Sequence, residues 1–374
     1  MNITPFAVEQ WMNEFETQCS HNLAETCVAS LTVSELLELS GSSAEVLQQL
    51  LPMKLTYGAI EGSERLRSAI ARLYVQRRAT DILIAHGAIG ANALVYQALV
   101  GPGDQVITVV PTYQQHYSIP ESLGADVIRL PLQFRDGYLL NLDALRAQVT
   151  PKTRLIAFTN PNNPTGALMD RSTLEAIAAI ADQVGAYVLC DEVYRGTTQV
   201  GDALTPSIVD VYPRGIAIGS MSKAFSLAGL RLGWMCAPPE VLKLAEVHRD
   251  YSTISVGMVD DFLAAMAIEN ADAILSRSRH IVRTNLAVLD QWVASEPAIS
   301  WVRPAAGTTT LLHYAFDLPS REFCVRLLNE TGVMFTPGSA FELEGCVRIG
   351  YANSPAILAE GLERVRPFLR TFSG

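Results

Sequence analysis

Three things are scarce in this sequence, and each scarcity removes a class of function. Basic residues are outnumbered: 28 lysines and arginines against 38 aspartates and glutamates leave a formal net charge of -10. Phosphate backbones are bound by clustered Lys and Arg, so nucleic acid is not expected as a partner, although a local basic pocket stays open. Cysteines number six, and Cys19, Cys27, Cys190, Cys236, Cys324 and Cys346 contain no C-x-x-C pair. That spacing suggests neither a zinc site nor a small disulfide framework, and no metal is expected. Reduced thiols in a cytosolic protein are the simplest expectation. Long apolar runs are missing as well: none approaches the roughly 18 residues a membrane helix needs. The opening MNITPFAVEQWMNEF has neither the basic stretch nor the apolar core of a secretory signal. No repeat or low-complexity tract interrupts the chain. The expectation is a soluble, cytoplasmic protein with no membrane partner.

What is present is a chain of 374 residues, 49% hydrophobic, long enough for two domains. Short apolar runs rich in β-branched residues read as buried strands: Asp104 to Val110, Arg154 to Asn160, Gly185 to Glu192 and Gly215 to Lys223. Between them lie helical patterns such as Asp170 to Gly185, with Leu174, Ile177, Ile180 and Ala181 on one face. Alternating strands and helices imply an α/β fold with a mainly parallel sheet covered on both faces. In such sheets a ligand sits at the carboxyl ends of the strands. Tyr113, Asn163, Asp191, Tyr194 and Lys223 each follow an apolar run directly. The last third changes character. His280 to Val293 reads as a helix, TTTLLHYAF and CVRIGYA as strands, and SPAILAEGLERVRPFLRTF as a closing helix. The expected division is an N-terminal arm over 1–45, a large domain over 46–257 and a smaller α+β domain over 258–374.

One stretch concentrates the chemistry: SMSKAFSLAGLRLGW, Ser220 to Trp234. Lys223 sits there among small and apolar residues, where an unpaired ammonium is costly. It either snorkels to the surface or is an amine kept partly deprotonated by desolvation and nearby positive charge, able to attack a carbonyl. Its neighbours favour the second reading. Ser220 and Ser222 are hydroxyl donors and Arg231 is a fixed cation, a set suited to a phosphate. Gly87, Ala88 and Ile89 in AHGAIGANAL form a small-residue turn opening a helix, whose amides can cradle the same phosphate. Asp191 ends an apolar strand in LCDEVYRG; it is either a structural ion pair or cap, or the partner of a pyridinium N–H. Tyr194 and Asn163 offer donors to a phenolate oxygen, and Tyr113 offers a flat face for an aromatic ring. Together these groups describe a phosphorylated pyridine aldehyde bound covalently to Lys223, which is pyridoxal 5'-phosphate.

Tyr57, Gly87 to Ala91, Tyr113, NNPTG, DEVYRG, SMSKAFSLAGLRLGW and VRIGY, in that order, resemble the class I/II aminotransferase superfamily of fold type I. The resemblance implies a large domain built on a mainly parallel sheet, a smaller α+β domain, and a homodimer with active sites at its interface. It implies an amino acid substrate, Tyr57 reaching the partner subunit's phosphate, and Arg348 clamping the substrate α-carboxylate, with Asn163 beside it. A planar guanidinium fork suits that carboxylate.

The N-terminal arm departs from the ordinary pattern of that superfamily. Val8, Trp11, Met12 and Phe15 form a helical stripe with Glu9 and Glu16 beside it, followed by Glu25, Thr26 and Cys27 where the family covers its pocket. This opening resembles a branch that processes arginine: cyclodehydratases forming capreomycidine and enduracididine, and oxygen-using arginine oxidases. A guanidinium needs carboxylates, and Glu9 and Glu25, with Asp260 and Asp261 behind them, are candidates. The alternative is that these acids are solvated helix-face charges. The oxidases carry a histidine near this place, where this chain has Glu25, Thr26 and Cys27 and no histidine, which turns the expectation away from oxidation. The function expected is cyclodehydration of a hydroxyarginine to a cyclic guanidino amino acid. The alternatives are an ordinary aminotransferase with a 2-oxo acid acceptor and an oxygen-dependent arginine oxidase.

Overall fold

A computed structural model describes residues 3–41 and 43–372. Seven strands form one sheet in the order Ile82–His86, Leu232–Cys236, Gly215–Ser220, Tyr187–Asp191, Thr153–Thr159, Gln105–Val110, Asp126–Pro131. Leu232–Cys236 runs antiparallel to both its neighbours and every other pairing is parallel. The central strands are buried almost throughout, as continuous apolar runs in a doubly covered sheet must be. Helices pack on both faces. The helix Arg171–Asp182 buries Leu174, Ile177, Ile180 and Ala181, and the Asp170 side chain caps it by accepting from the Thr173 amide.

All four strands expected from apolar runs are present, with ends shifted by up to a few residues. The trimming matters at Gly215–Ser220, where Ser222 and Lys223 leave the ladder and project beyond the sheet's carboxyl edge. The strands Ile82–His86, Asp126–Pro131 and Leu232–Cys236 were not marked by the sequence; Leu232–Cys236 is concealed inside the phosphate-type motif. Among the described residues, no helix is long and apolar enough to cross a membrane.

A second sheet is antiparallel, in the order Thr336–Pro337, Cys346–Gly350, Thr309–Tyr314, Ile299–Trp301. It shares an apolar core with Trp11, Leu23, Val28 and the inner faces of helices Ala271–Ser295, Ser320–Thr331 and Pro355–Arg370. The change of core does not fall at residue 258. Leu263, Ala264, Met266, Ile268, Ile274 and Leu275 pack in the large core, and the long helix enters the second core only from Val282 onward. The N-terminal arm is divided in the same way. Leu36 and Leu37 belong to the large core, whereas Trp11 to Val28 serve the small one.

The segment between them is a strap that crosses from one core to the other. His21–Asn22 pairs in parallel with Val333–Met334. The Leu23 carbonyl then accepts from the Gly350 amide at 2.7 Å, the Ala29 amide donates to Ala352 at 2.8 Å, and the Leu31 amide donates to Ser226 at 2.9 Å. Gly350 is the seat of the strap: a Cβ there would lie 1.7 Å from the Glu25 carbonyl oxygen. Gly350→Ala is therefore expected to destabilise the protein by about 1–3 kcal/mol or more, the usual cost of overpacking. Urea unfolding checks it, and an unchanged midpoint would show that the strap is not seated there.

Candidate active site

A cavity of about 420 Å³ opens at the carboxyl ends of the parallel strands, between the large sheet and the strap. Its lining includes Thr159, Asp191 and Ser220, each the last residue of its strand, and Gly87, which begins the helix Gly87–Leu99. Position at a strand end is what turns these side chains into a common space.

One wall has the chemistry to hold an anion. His86, at the N-cap of the Gly87–Leu99 helix, makes no side-chain capping bond, so the first-turn amides have no side-chain acceptor there. Gly233 lies directly beneath: a Cβ on it would come within 2.4 Å of the Gly87 carbonyl carbon and 2.5 Å of the Ala88 nitrogen. Ala88, Ile89, Ser220, Ser222 and Arg231 complete this wall. Arg231 holds a left-handed backbone, with φ 51°, and donates to the Ala228 carbonyl at 3.1 Å.

Asp191 forms the floor. Its Oδ2 accepts from Asn92 at 2.8 Å and its Oδ1 from the Val193 amide at 3.2 Å. Burial pushes its carboxyl up to about 6, against the opposing pull of Asn92, the Val193 amide and Lys223. Tyr113 stands on the same cavity, with its phenol donating to Glu9 Oε1 at 3.1 Å. Tyr194 is buried beside it. Behind them a neutral relay supports Thr159. Tyr96 and His116 Nδ1 are 2.8 Å apart, and His116 Nε2 and Thr159 Oγ1 are 3.2 Å apart. Burial lowers His116 to about 4, so it is uncharged at neutral pH.

Lys223 reaches into the cavity and donates to Thr26 Oγ1 at 2.5 Å and Cys27 Sγ at 3.6 Å. The expected partial deprotonation is not what this environment produces. Burial alone would lower the amine, but Cys27, Tyr194 and Glu25 outweigh it and raise Lys223 above the ordinary lysine range, with Arg348 opposing. The reason is the strap, which brings acidic and polarisable groups to the amine. Burial in turn pushes the Cys27 thiol up to about 11, keeping it S–H.

Arg348 is 2% exposed and has no carboxylate partner among the described residues. It donates to Asn163 Oδ1 at 3.2 Å, the Ala24 carbonyl at 3.0 Å and Thr336 Oγ1 at 3.0 Å, while its Nε is buried without a partner. A buried guanidinium held only by neutral acceptors is matched by an incoming carboxylate. Three acids, Glu9, Glu16 and Glu25, line the same cavity together with Val8 and Met12. Glu16 is raised by burial and then by Glu25 and Glu9.

Of the residues singled out from sequence, Glu9, Glu25, Thr26, Cys27, Gly87, Ala88, Ile89, Tyr113, Asn163, Asp191, Tyr194, Ser220, Ser222, Lys223, Arg231 and Arg348 all line this one cavity. Tyr57 does not; it is 77% exposed on its own chain. Asp260 and Asp261 stand apart too. They occupy the first turn of helix Met258–Glu269, where Asp261 accepts from the Ser63 amide at 2.9 Å, a structural tie rather than a pocket charge. Asn92 and the His116–Thr159 pair were missed. A polar side chain inside the otherwise small and apolar GAIGANAL was the one available signal for Asn92. Glu16 was legible only as a neighbour of the helical stripe.

The donor set fits pyridoxal 5'-phosphate: an uncapped helix N-terminus with two serines and an arginine for the phosphate, a buried carboxylate lacking a cation for the ring N–H, and an amine in reach of the same space.

The profile of the family described as aminotransferase class I and II matches residues 36–365. Capreomycidine synthase from Streptomyces vinaceus is 30% identical over 368 residues, covering 97% of this chain and 93% of that protein. A PLP-dependent aminotransferase from Streptococcus suis superposes with a TM-score of 0.96 at 43% identity, covering 100% of this chain and 99% of the other. The PLP-dependent cyclase OrfR superposes with a TM-score of 0.91 at 28% identity, covering 99% and 98%.

The Asp191 environment carries a pH prediction for the cofactor-free chain. A carboxyl raised from 3.8 to about 6 binds its proton more tightly folded than unfolded. Its ionisation therefore costs stability progressively as pH rises from about 4 to about 6, in full above that, on the order of 3 kcal/mol. Asp191→Asn removes this cost. Urea unfolding at about pH 5 and about pH 8 should show the variant gaining on the parent chain at the higher pH; a constant difference contradicts it.

Proposed function

The chain belongs to the aminotransferase class I and II family and is a PLP-dependent enzyme, and from that membership we propose that it acts on an arginine-type amino acid, converting a hydroxyarginine into a cyclic guanidino amino acid with loss of water. The observation that carries this reading is the trio Glu9, Glu16 and Glu25, which share one cavity with no arginine or lysine in ion-pair contact among the described residues; burial raises Glu16 and the other two carboxylates add to the rise. Acids arranged opposite a buried arginine suit a substrate with a carboxylate at one end and a guanidinium at the other. Capreomycidine synthase among the relatives and a cyclase among the solved structures favour the same chemistry.

Pyridoxal 5'-phosphate supplies an electron sink for the charge left when the substrate Cα–H bond breaks. Gly87, Ala88, Ile89, Ser220, Ser222 and Arg231 would hold its phosphate, Asp191 its ring N–H, Tyr113 its face, and Tyr194 with Asn163 its phenolic oxygen. Arg348 binds the substrate α-carboxylate. Lys223, the covalent anchor, takes the proton from the substrate Cα once its amine is free. Glu9 assists departure of the hydroxyl. The strap and the helix Ala7–Phe15 cover the cavity and limit water. A homodimer belongs to this reading: Leu51, Leu55, Tyr57 and Tyr251 are exposed on a single chain, and a second copy would cover them and bring Tyr57 to the neighbouring phosphate.

The second reading is an ordinary aminotransferase using a 2-oxo acid, favoured by the 43% identity to the Streptococcus suis aminotransferase. The two are separated in deuterated water with PLP-loaded protein, arginine, γ-hydroxyarginine and a panel of common amino acids, with and without 2-oxoglutarate. Water loss from hydroxyarginine without an acceptor, with deuterium entering the product, is the outcome expected. Keto acid and glutamate from another amino acid would replace it with the second reading.

Two substitutions sharpen the test. Lys223→Ala should abolish turnover and the visible absorbance of the lysine-bound cofactor. Glu9→Gln and Glu16→Gln should each raise KM for hydroxyarginine about tenfold or more, the worth of one charge-assisted contact. KM unchanged in both would return these acids to the role of solvated surface charge.

A further inference from the structure

The resting place of the free Lys223 amine is built, not incidental. Its two acceptors, Thr26 Oγ1 and Cys27 Sγ, sit on a turn that cannot drift. The Glu25 carboxylate folds back so that Oε1 accepts from both the Thr26 and the Cys27 amides, at 2.7 and 2.9 Å. The Thr26 carbonyl accepts from the Thr308 hydroxyl at 2.6 Å, which ties the turn to the second sheet. The Val28 amide reaches the carbonyl of Lys223 itself at 3.4 Å, so the turn is also registered against the lysine backbone. The groups around the amine act unequally. Cys27, Tyr194 and Glu25 favour its protonated form, Asp191 lies near enough to be affected by its charge, and Arg348 opposes it. Glu25 responds in kind. Burial would raise its carboxyl, but Lys223 and the turn amides hold it below the ordinary range.

We propose that the Glu25–Thr26–Cys27 turn is a docking site for the free Lys223 ammonium, and that docking there steers the enzyme toward elimination of water rather than transamination. The second half rests on the cyclodehydration reading. Transamination requires the proton that Lys223 takes from Cα to be handed to a second carbon, and the amino group to pass to a 2-oxo acid. Cyclodehydration keeps the amino group and returns that proton to the Cα it left. A β-proton is removed as the γ C–O bond breaks and is restored to Cβ as the C–N bond forms, and the departing hydroxide leaves as water with one proton from the guanidinium; no electrons leave the substrate. An ammonium held by Thr26 and Cys27 is restrained on the strap side, which limits hand-over of its proton to a second carbon and leaves its return to Cα. Thr26 and Cys27 are thus positioning residues that act through Lys223.

The docking is read without turnover. In the cofactor-free full-length chain, labelling of Lys223 by acetic anhydride is followed against pH by peptide mass spectrometry, with exposed Lys243 as the internal reference. Thr26→Val keeps the side-chain shape but removes the acceptor. It should lower the Lys223 titration midpoint by about one unit, giving about tenfold faster labelling near neutral to mildly alkaline pH. Thr26→Ser should restore the parent profile, which a merely structural role would not require, and Cys27→Ala should produce a shift in the same direction. A Thr26→Val profile identical to the parent overturns the docking site. In the loaded enzyme with γ-hydroxyarginine and 2-oxoglutarate, Thr26→Val should raise the ratio of keto acid to cyclic product at least about fivefold, close to 1 kcal/mol of lost steering. An unchanged ratio overturns the steering. A parent enzyme that forms no cyclic product, alongside a shifted labelling profile, upholds docking and removes both the steering and the cyclodehydration reading.

Discussion

A lysine, an aspartate and an arginine face one cavity, and among the described residues none of the three has an ion-pair partner there. Removing such charges from water costs several kcal/mol each unless other groups compensate. Here the compensation is partial and neutral. Asn92 and a backbone amide serve Asp191, a hydroxyl and a thiol serve Lys223, and two carbonyl-type oxygens with a threonine serve Arg348. Each charge is thereby held in place but left wanting an opposite charge. A bound cofactor and amino acid can supply those charges, so the energetic deficit of the empty cavity becomes binding energy for the loaded one. The rest of the molecule can be understood as the scaffold that tolerates this deficit.

Two apolar cores carry the scaffold. The large one wraps a sheet whose strands end at the cavity floor, and the small one presents Arg348 from its own antiparallel sheet. Neither core alone forms the site. The strap links them, leaving the small core at Val28 and entering the large one by Leu36, and the acids and acceptors of the arm ride on it. Close approach of backbones at Gly350 and Gly233 fixes the strap and the turn at Gly87 and Ala88, because any side chain there would occupy space already held by main chain.

The ionisation states follow from the same crossing. Placed only among small residues, Lys223 would be expected to lose charge on burial. The strap reverses that outcome by adding Glu25 and Cys27 to the Tyr194 side of the amine. His116 shows the opposite limit: with no charged neighbour strong enough to oppose burial, it stays neutral and serves only as a bridge between two hydroxyls.

Much of this protein was determined by the sequence alone. Apolar runs specified the central strands, helical periodicity specified the buried face of Arg171–Asp182, and the residue types around Lys223 and Asp191 specified a phosphorylated pyridine cofactor. Those signals are local or depend on chemical type, so they survive without coordinates. Tertiary structure alone decided which distant groups meet. Thr26 and Lys223 are separated by 197 positions yet lie in hydrogen-bond contact. Asn92 finds Asp191 across 99 positions, and Glu16 joins Glu9 and Glu25 only once the arm folds over the cavity. The passage of helix Met258–Glu269 into the large core was hidden for the same reason. Such contacts depend on how two cores are packed and joined, and the charge on a buried amine depends on the three-dimensional sum of desolvation and Coulomb terms, neither of which is written in any short stretch of chain.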